Sequence, residues 1–301
     1  MPDAVPSSSV DRLGPAELQA VHRLVEESAA VDGFSALNEA GLLALEHGPG
    51  VRHHLALPAD GRSLTDGGTL RGYAQLDPGT AFSTGQLVVH PQQRRRQVAT
   101  TLVRRLMAEA PHRLQVWAVG DTPAAQALAR TVGLVPARTL LVMRRPLHEP
   151  LPEPQLPGGV TVRAFVPGQD ERAWLAVNAR AFASHPEQGG ITADDLAQRM
   201  AEDWFDPDGF FLADQDGSLL GFHWTKRHPG ALGEVYVLGV DPAAGGRGLG
   251  KALLDIGLRH LHAVGDTDVE LYVEGDHARA VGLYRGRGFR TASRDVMYAQ
   301  P

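Results

Sequence analysis

Cysteine is absent from all 301 residues. Disulfides, thiolate metal ligands and a cysteine nucleophile are therefore excluded. No apolar run approaches the roughly 20 residues of a membrane span. The opening residues, MPDAVPSSSV, have neither the basic start nor the apolar core of a signal peptide. A long basic run is also missing, and the formal net charge is −6, so neither nucleic acid nor an anionic membrane is an electrostatically favoured partner. What remains, 43% hydrophobic and 21% charged residues, is the mixture of a folded globular protein. The expectation is a cytoplasmic enzyme, monomeric, that binds small molecules.

Proline marks the main division. Five prolines fall between Pro146 and Pro157, in PLHEPLPEPQLPGG, a density that no helix or central strand tolerates. This predicts a first domain over 1–147, a linker over 148–159 and a second domain over 160–301. The two halves repeat one plan: an apolar strand, a proline turn, a loop with arginine, and an amphipathic helix. QLVVHPQQRRRQVATTLVRRLMAEA from Gln86 matches GEVYVLGVDPAAGGRGLGKALLDIGLRHL from Gly233. Pro91 aligns with Pro242 and Arg96 with Arg247. The helical rows are Val98, Leu102 and Leu106, and Leu249, Leu253 and Ile256. A second block follows in each half, LQVWAVGDTPAAQALARTVGL and LYVEGDHARAVGLYRGRGF, where Asp121 and Asp276 are expected to cap a helix that Gly133 and Gly288 close. Repetition over roughly 150 residues points to a duplicated α/β domain rather than a solenoid.

The segment Gly245–Lys251, GGRGLGK, joins strand to helix. Glycines there let backbone N–H groups converge on an anion beside the positive end of the helix dipole. It is neither GxGxxG nor a Walker loop, since Lys251 is not followed by Ser or Thr. The glycines alone fit a surface turn equally well.

This loop after an apolar strand, followed by the strand–Asp–helix–Gly–Phe block, resembles the GCN5-related N-acetyltransferase superfamily. The resemblance implies two tandem domains with mixed α/β sheets and acetyl-CoA as co-substrate. It places the coenzyme pyrophosphate on Gly245, Gly246, Arg247, Gly248, Leu249, Gly250 and Lys251, and the pantetheine arm along Leu238, Gly239 and Val240, paired as an added strand. The stretch His277, Ala278, Arg279, Ala280, Val281 and Gly282 forms the remaining coenzyme contacts.

Amide formation from a thioester requires a neutral amine, a polarised carbonyl and a proton for the leaving thiolate. Glu234, at the start of an apolar strand, is suited to accept the ammonium proton. Gly239 can accommodate a bulge that frees an N–H near Val240 for the acetyl carbonyl. Tyr284 stands where the superfamily usually has a tyrosine that protonates coenzyme sulfur. Each residue has a plainer reading, a solvated carboxylate for Glu234 and a core aromatic for Tyr284. The N-terminal half has Ser83 in place of Glu234, Ala129 in place of Tyr284 and Gln97 in place of Gly248. It is expected to be catalytically inactive. A second coenzyme would there meet Leu87, Val88, Val89, Arg94, Arg95, Arg96, Gln97, Val98 and Ala99.

Further strings, AAVDGFSALNE, AFASHPEQGG, EDWFDPDG, LLGFHWTKRHP and GEVYVLGVDPAAGGRGLGK, are similar to the mycothiol synthase (mycothiol acetyltransferase) family over nearly the whole chain. That family acetylates the cysteinyl amine of 1-O-(2-(L-cysteinylamino)-2-deoxy-α-D-glucopyranosyl)-D-myo-inositol. The resemblance puts Glu39, Glu187, Lys226, Glu234 and Tyr272 on substrate, in a cleft between the domains, and implies no metal. His277 replaces a usual Asn, and Gly245 and Gly246 thin out polar residues expected in the loop. Adjacent His53 and His54 have no nearby carboxylate pattern for metal and read as strand or loop residues. Competing readings are an N-acetyltransferase for another small amine, such as an aminoglycoside, and a non-catalytic acyl-CoA sensor.

Overall fold

A computed structural model describes residues 7–47, 50–58 and 60–301. They form two compact units, Met1–Leu140 with Ser293–Pro301, and Leu141–Ala292. Residues 147–157 carry neither helix nor strand, as their prolines dictate. They nonetheless lie wholly inside the second unit, and the last nine residues belong to the first. Prolines mark where regular structure stops; strand membership is set by long-range pairing that no local signal encodes.

In the first unit the strands are β1 (Ser7–Val10), β2 (Arg52–Ala56), β3 (Gly72–Asp77), β4 (Ser83–Val89) and β5 (Leu114–Ala118). The helices are α1 (Pro15–Asp32), α2 (Glu39–His47), α3 (Val98–Glu109) and α4 (Pro123–Val132). β1 to β4 pair antiparallel, and β4 runs parallel to β5 over Ser83–Gly85 only. Side chains alternate across the sheet: Val88 packs with Leu24, Leu55 and Tyr73 under α1, while Leu87 and Val89 pack with Leu102 and Leu106 of α3. The result is a sheet covered by helices on both faces. β6 (Val135–Pro146) follows α4. Residues Val296–Ala299 pair antiparallel with β5, and Tyr298 and Val296 join the α3 core.

The second unit repeats the plan with β7 (Thr161–Ala164), α5 (Glu171–Ala181), α6 (Pro186–Gly189), α7 (Ala193–Met200), β8 (Phe210–Gln215), β9 (Ser218–His228), β10 (Leu232–Val240), α8 (Leu249–Ala263), β11 (Asp268–Glu274) and α9 (Ala278–Arg285); the last strand, β12 (Arg290–Ala299), belongs from Ser293 onward to the first unit. β7 to β10 pair antiparallel, and β10 runs parallel to β11 over Leu232–Glu234 only. Beyond those three residues the two strands part, as β4 and β5 do. Gly72 and Gly221 show the same close fit in both units: a Cβ on either would approach Leu102 at 3.2 Å or Leu253 at 3.3 Å.

The second unit has two ladder interruptions, one in β8–β9 between Ala213 and Asp214 and one in β9–β10, and the latter bears on the site. The β9–β10 register slips between Val235 and Val237, so Tyr236 is an extra residue on β10. Residues two apart on a strand ordinarily share a face. Here Val235 packs under α8 with Leu258 and Leu261, whereas Val237 packs with Trp174 and Phe222 under α5. The bulge is thus at Tyr236, not at Gly239, which pairs regularly with Phe222. Glycine is required at 239 for a different reason. A Cβ there would lie 2.7 Å from the Phe222 ring. β4 has no counterpart to the bulge; its ladder with β3 runs without a shift from Gly72↔Val89 to Asp77↔Thr84.

Ile256, expected on the buried row of α8, is only half-buried. α8 buries two faces instead, Leu249 and Leu253 on one and Leu254, Leu258 and Leu261 on the other.

Candidate active site

Register brings two of the expected residues, Glu234 and Lys226, into one row with a second carboxylate. Glu234 on β10 stands opposite Lys226 on β9 and opposite Glu270 on β11. Tyr272, two residues beyond Glu270 on the same strand, is 47% exposed. Glu234 itself is only 7% exposed, which excludes a solvated strand-end carboxylate. A buried carboxylate needs partners, and His228 Nε2 lies 2.6 Å from Glu234 Oε2. Glu270, equally buried, accepts from Arg144, whose Nε and Nη2 lie 2.7 and 2.6 Å away. Lys226 Nζ sits 4.2 Å from the Trp204 ring centroid and 5.2 Å from that of Tyr236, both within cation–π range. Tyr236, the bulge residue, is held in turn by Arg199 Nε, which donates to its hydroxyl at 3.0 Å.

Sequence reasoning passed over His228, Glu270, Arg144 and Tyr236. A signal for His228 existed: it is two residues from Lys226, hence on the same face of the same strand. The other three depend on which strands become neighbours.

The glycine loop takes the shape its composition allows. Gly246 has φ +79° and Gly248 φ +86°, and nothing lies within 4 Å of where either Cβ would be. Gly248 is the N-cap of α8; Lys251 N donates to Gly248 O at 3.1 Å, and the N–H groups of Leu249 and Gly250 precede the first bond of the helix. Open space, left-handed glycines and an unspent helix start together fit an anion. Leu249 is buried, Gly250 is half-buried, and Lys251 and Arg247 are exposed, with Arg247 donating to Gln215 at 3.1 Å.

The helix caps fall one residue later than expected. His277, not Asp276, caps α9 by accepting from Ala280 N at 3.2 Å, and Thr122, not Asp121, caps α4. Asp121 is buried and accepts from Arg294 and from the Tyr298 hydroxyl at 2.7 Å. That polar pairing outweighs capping, because an unpaired buried carboxylate would cost far more than a cap contributes.

Tyr284 on α9 is buried in the cluster that holds Val281, Val235 and Phe289, and Leu238 packs against the same cluster. Burial pushes its phenol up to about 12. It is therefore a neutral O–H at physiological pH, the form a proton donor requires.

In the first unit the loop keeps its conformation without its glycines. Arg95 has φ +60° and Gln97 φ +63°, the positions of Gly246 and Gly248. Arg94 is turned away into a bidentate pair with Asp32, at 2.8 and 2.7 Å, and also donates to Ser28. Ser83 and Ala129 are buried. Glu39 opens α2, half-buried. Glu187 lies in α6, and its side chain is outside the described residues. His53 and His54 are strand residues: His53 Nδ1 lies 2.6 Å from the Tyr73 hydroxyl and His54 Nδ1 2.8 Å from Ser9 Oγ.

The pattern that defines the acetyltransferase (GNAT) family matches this chain twice, over residues 37–134 and 174–289. A mycothiol acetyltransferase of Streptomyces avermitilis is 53% identical over 95% of this chain and 92% of its own length. Another, from Thermomonospora curvata, is 49% identical over 97% and 96%. The chain belongs to the GNAT family, among the mycothiol acetyltransferases. A GCN5-related N-acetyltransferase from Sphaerobacter thermophilus has a solved structure that covers 99% of this chain and 98% of its own, with a TM-score of 0.70 at 26% identity. A tandem GNAT protein from the clavulanic acid biosynthesis pathway shares the fold, with a TM-score of 0.72 at 18% identity over 98% of this chain and 97% of its own. Both expectations drawn from the paired motifs, two tandem GNAT domains and acetyl-CoA as acetyl donor, therefore stand. No helix among the described residues is long and apolar enough to cross a membrane.

Proposed function

We propose that this chain transfers the acetyl group of acetyl-CoA to the cysteinyl amine of 1-O-(2-(L-cysteinylamino)-2-deoxy-α-D-glucopyranosyl)-D-myo-inositol, releasing mycothiol and coenzyme A. The observation that carries the mechanism is the parting of β10 from β11 immediately after a buried carboxylate, Glu234. Beyond that point, among the described residues, one edge of β10 pairs with no strand and can take an extended thioester arm along Leu238, Gly239 and Val240. Gly245–Lys251 and the N-terminus of α8 hold the pyrophosphate, and His277–Gly282 completes the coenzyme contacts. Glu234 takes a proton from the substrate ammonium. The amine lone pair then forms the C–N bond to the acetyl carbon, the tetrahedral intermediate loses its second N–H proton to solvent and collapses with cleavage of the C–S bond, and Tyr284 protonates the leaving thiolate and regains its proton from solvent. Glu39, Glu187, Lys226 and Tyr272 contact the sugar and inositol hydroxyls and the cysteinyl group.

The first unit lacks the carboxylate and the phenol, so a single reaction centre is expected per chain. Its Leu87–Val89 strand end and Arg94–Ala99 loop are the place for a second, unreactive coenzyme. The deciding experiment measures acetyl-CoA consumption over a panel of amines, with mass spectrometry of the products. N-acetylated product with a free thiol from the cysteinyl pseudo-disaccharide is expected. Turnover of an aminoglycoside in its place would replace this reading, and binding without turnover of any amine would favour an acyl-CoA sensor.

A further inference from the structure

His228 has no assigned role, yet its imidazole touches the buried carboxylate. Nε2 of His228 and Oε2 of Glu234 are 2.6 Å apart. Two lone pairs cannot face each other at that separation, so a proton lies between them, and the contact has the length of a charge-assisted bond. With Glu234 ionised, that proton is on Nε2 and the imidazole donates. One oxygen of Glu234 is thereby fixed. The His228 side chain is 30% exposed and that of Glu234 9%.

The surrounding charges make the protonation state of His228 matter. Facing the pair are Glu270 from β11, Arg144 bonded to Glu270 from β6, and Lys226 from β9. Asp268, the next acidic residue on β11, is exposed and accepts from Thr267. Glu234 and Glu270 carry two negative charges; Arg144 and Lys226 carry two positive ones. With a neutral imidazole the cluster sums to zero, and with an imidazolium it is positive. An ammonium substrate is then repelled, and the carboxylate is a weaker base. His228, Glu234 and Glu270 bring potential ligand atoms within 4.8 Å of one another. The guanidinium on Glu270 supplies the neutralising charge that a divalent ion would otherwise bring.

We infer that His228 is a positioning residue for acetyl transfer, which orients Glu234 through Nε2–H and admits the ammonium substrate only when its ring is neutral. This rests on Glu234 being the base. The test compares wild type, His228→Gln, His228→Ala and Glu234→Gln, with kcat and kcat/KM for the cysteinyl amine measured from pH 5.5 to 9. Glutamine keeps an N–H donor but cannot titrate; alanine removes both. Wild-type kcat/KM should fall toward the acid end of that range. His228→Gln should keep kcat at pH 8 within about threefold and lose that acid limb, while His228→Ala should lose about tenfold or more in kcat, the scale of a misoriented base. Circular dichroism and thermal melting of each variant separate these effects from misfolding. If both His228 variants keep the wild-type acid limb and its kcat while Glu234→Gln is inactive, the inference fails and the base assignment survives. If Glu234→Gln is as active as wild type, the base assignment itself fails. Activity abolished by chelation and restored by a divalent metal would also overturn the inference, since the cluster would then be a cation site.

Discussion

Replacing Glu234 by glutamine tests the chemistry with little change in shape. The side chain is nearly isosteric and 7% exposed, so no cavity opens, and an amide oxygen can still accept from His228 across the 2.6 Å contact. What disappears is the ability to take a proton. General-base contributions of about 10²–10⁴-fold correspond to roughly 3–5 kcal/mol of transition-state stabilisation. An α-amino group with pKa about 7.7–8.0 is roughly 10–15% neutral at pH 7 and more than 90% neutral at pH 9. Solution can therefore return about six- to tenfold of the loss over those two units. The expected wild-type to variant ratio of kcat/KM is on the order of 10²–10⁴ at pH 7 and smaller by that six- to tenfold factor at pH 9. The assay is release of free coenzyme A at saturating acetyl-CoA with varied substrate, alongside direct titration of acetyl-CoA binding, which should be unchanged. A ratio that stays constant from pH 7 to 9, with the loss mainly in KM, would mean that Glu234 only orients substrate.

Three other predictions follow from the geometry. Tyr284→Phe should lower kcat by roughly tenfold or more with acetyl-CoA affinity retained. Because its phenol is raised to about 12, wild-type kcat should show no descending limb up to pH 10; a descending limb near 9 that vanishes in the Phe variant would contradict the buried, neutral phenol. Gly248→Ala places a Cβ on a residue at φ +86°. It should cost about 1 kcal/mol in stability and raise the Michaelis constant for acetyl-CoA severalfold; an unchanged constant would remove the loop from the coenzyme site. His223 is fully buried, and desolvation lowers its pKa to about 4, below the roughly 6.5 of an unfolded chain. The unfolded state binds the extra proton first, so stability is complete above about 6.5 and is lost as pH falls toward 4, by about 3 kcal/mol for a shift of that size. Denaturant unfolding at pH 7 and 4.5 should show this loss, with a shallower pH dependence in His223→Gln; equal slopes would show that another group drives acid unfolding.

The amino-acid sequence by itself determined the duplication, both proline turns, the glycine loop and the residue types able to move protons. These are local: spacing, turn chemistry and apolar period are written within a few residues of one another. It also placed Glu234 on a strand and Tyr284 on a helix, because both lie within stretches whose motif fixes the element. Tertiary structure decided the rest. Gly239 was the expected bulge site along β10, and only the β9 register shows that Tyr236 is the extra residue, since a bulge is a relation between two strands. Asp121 and Asp276 looked like caps, until pairing placed Tyr298 and Arg294 beside Asp121. Glu270 and Arg144 are separated from Glu234 by 36 and 90 positions in the chain, yet strand pairing sets all three in one charge cluster. His228 acquires meaning only as the donor to that buried carboxylate, a role that depends on a 2.6 Å contact that sequence spacing does not contain.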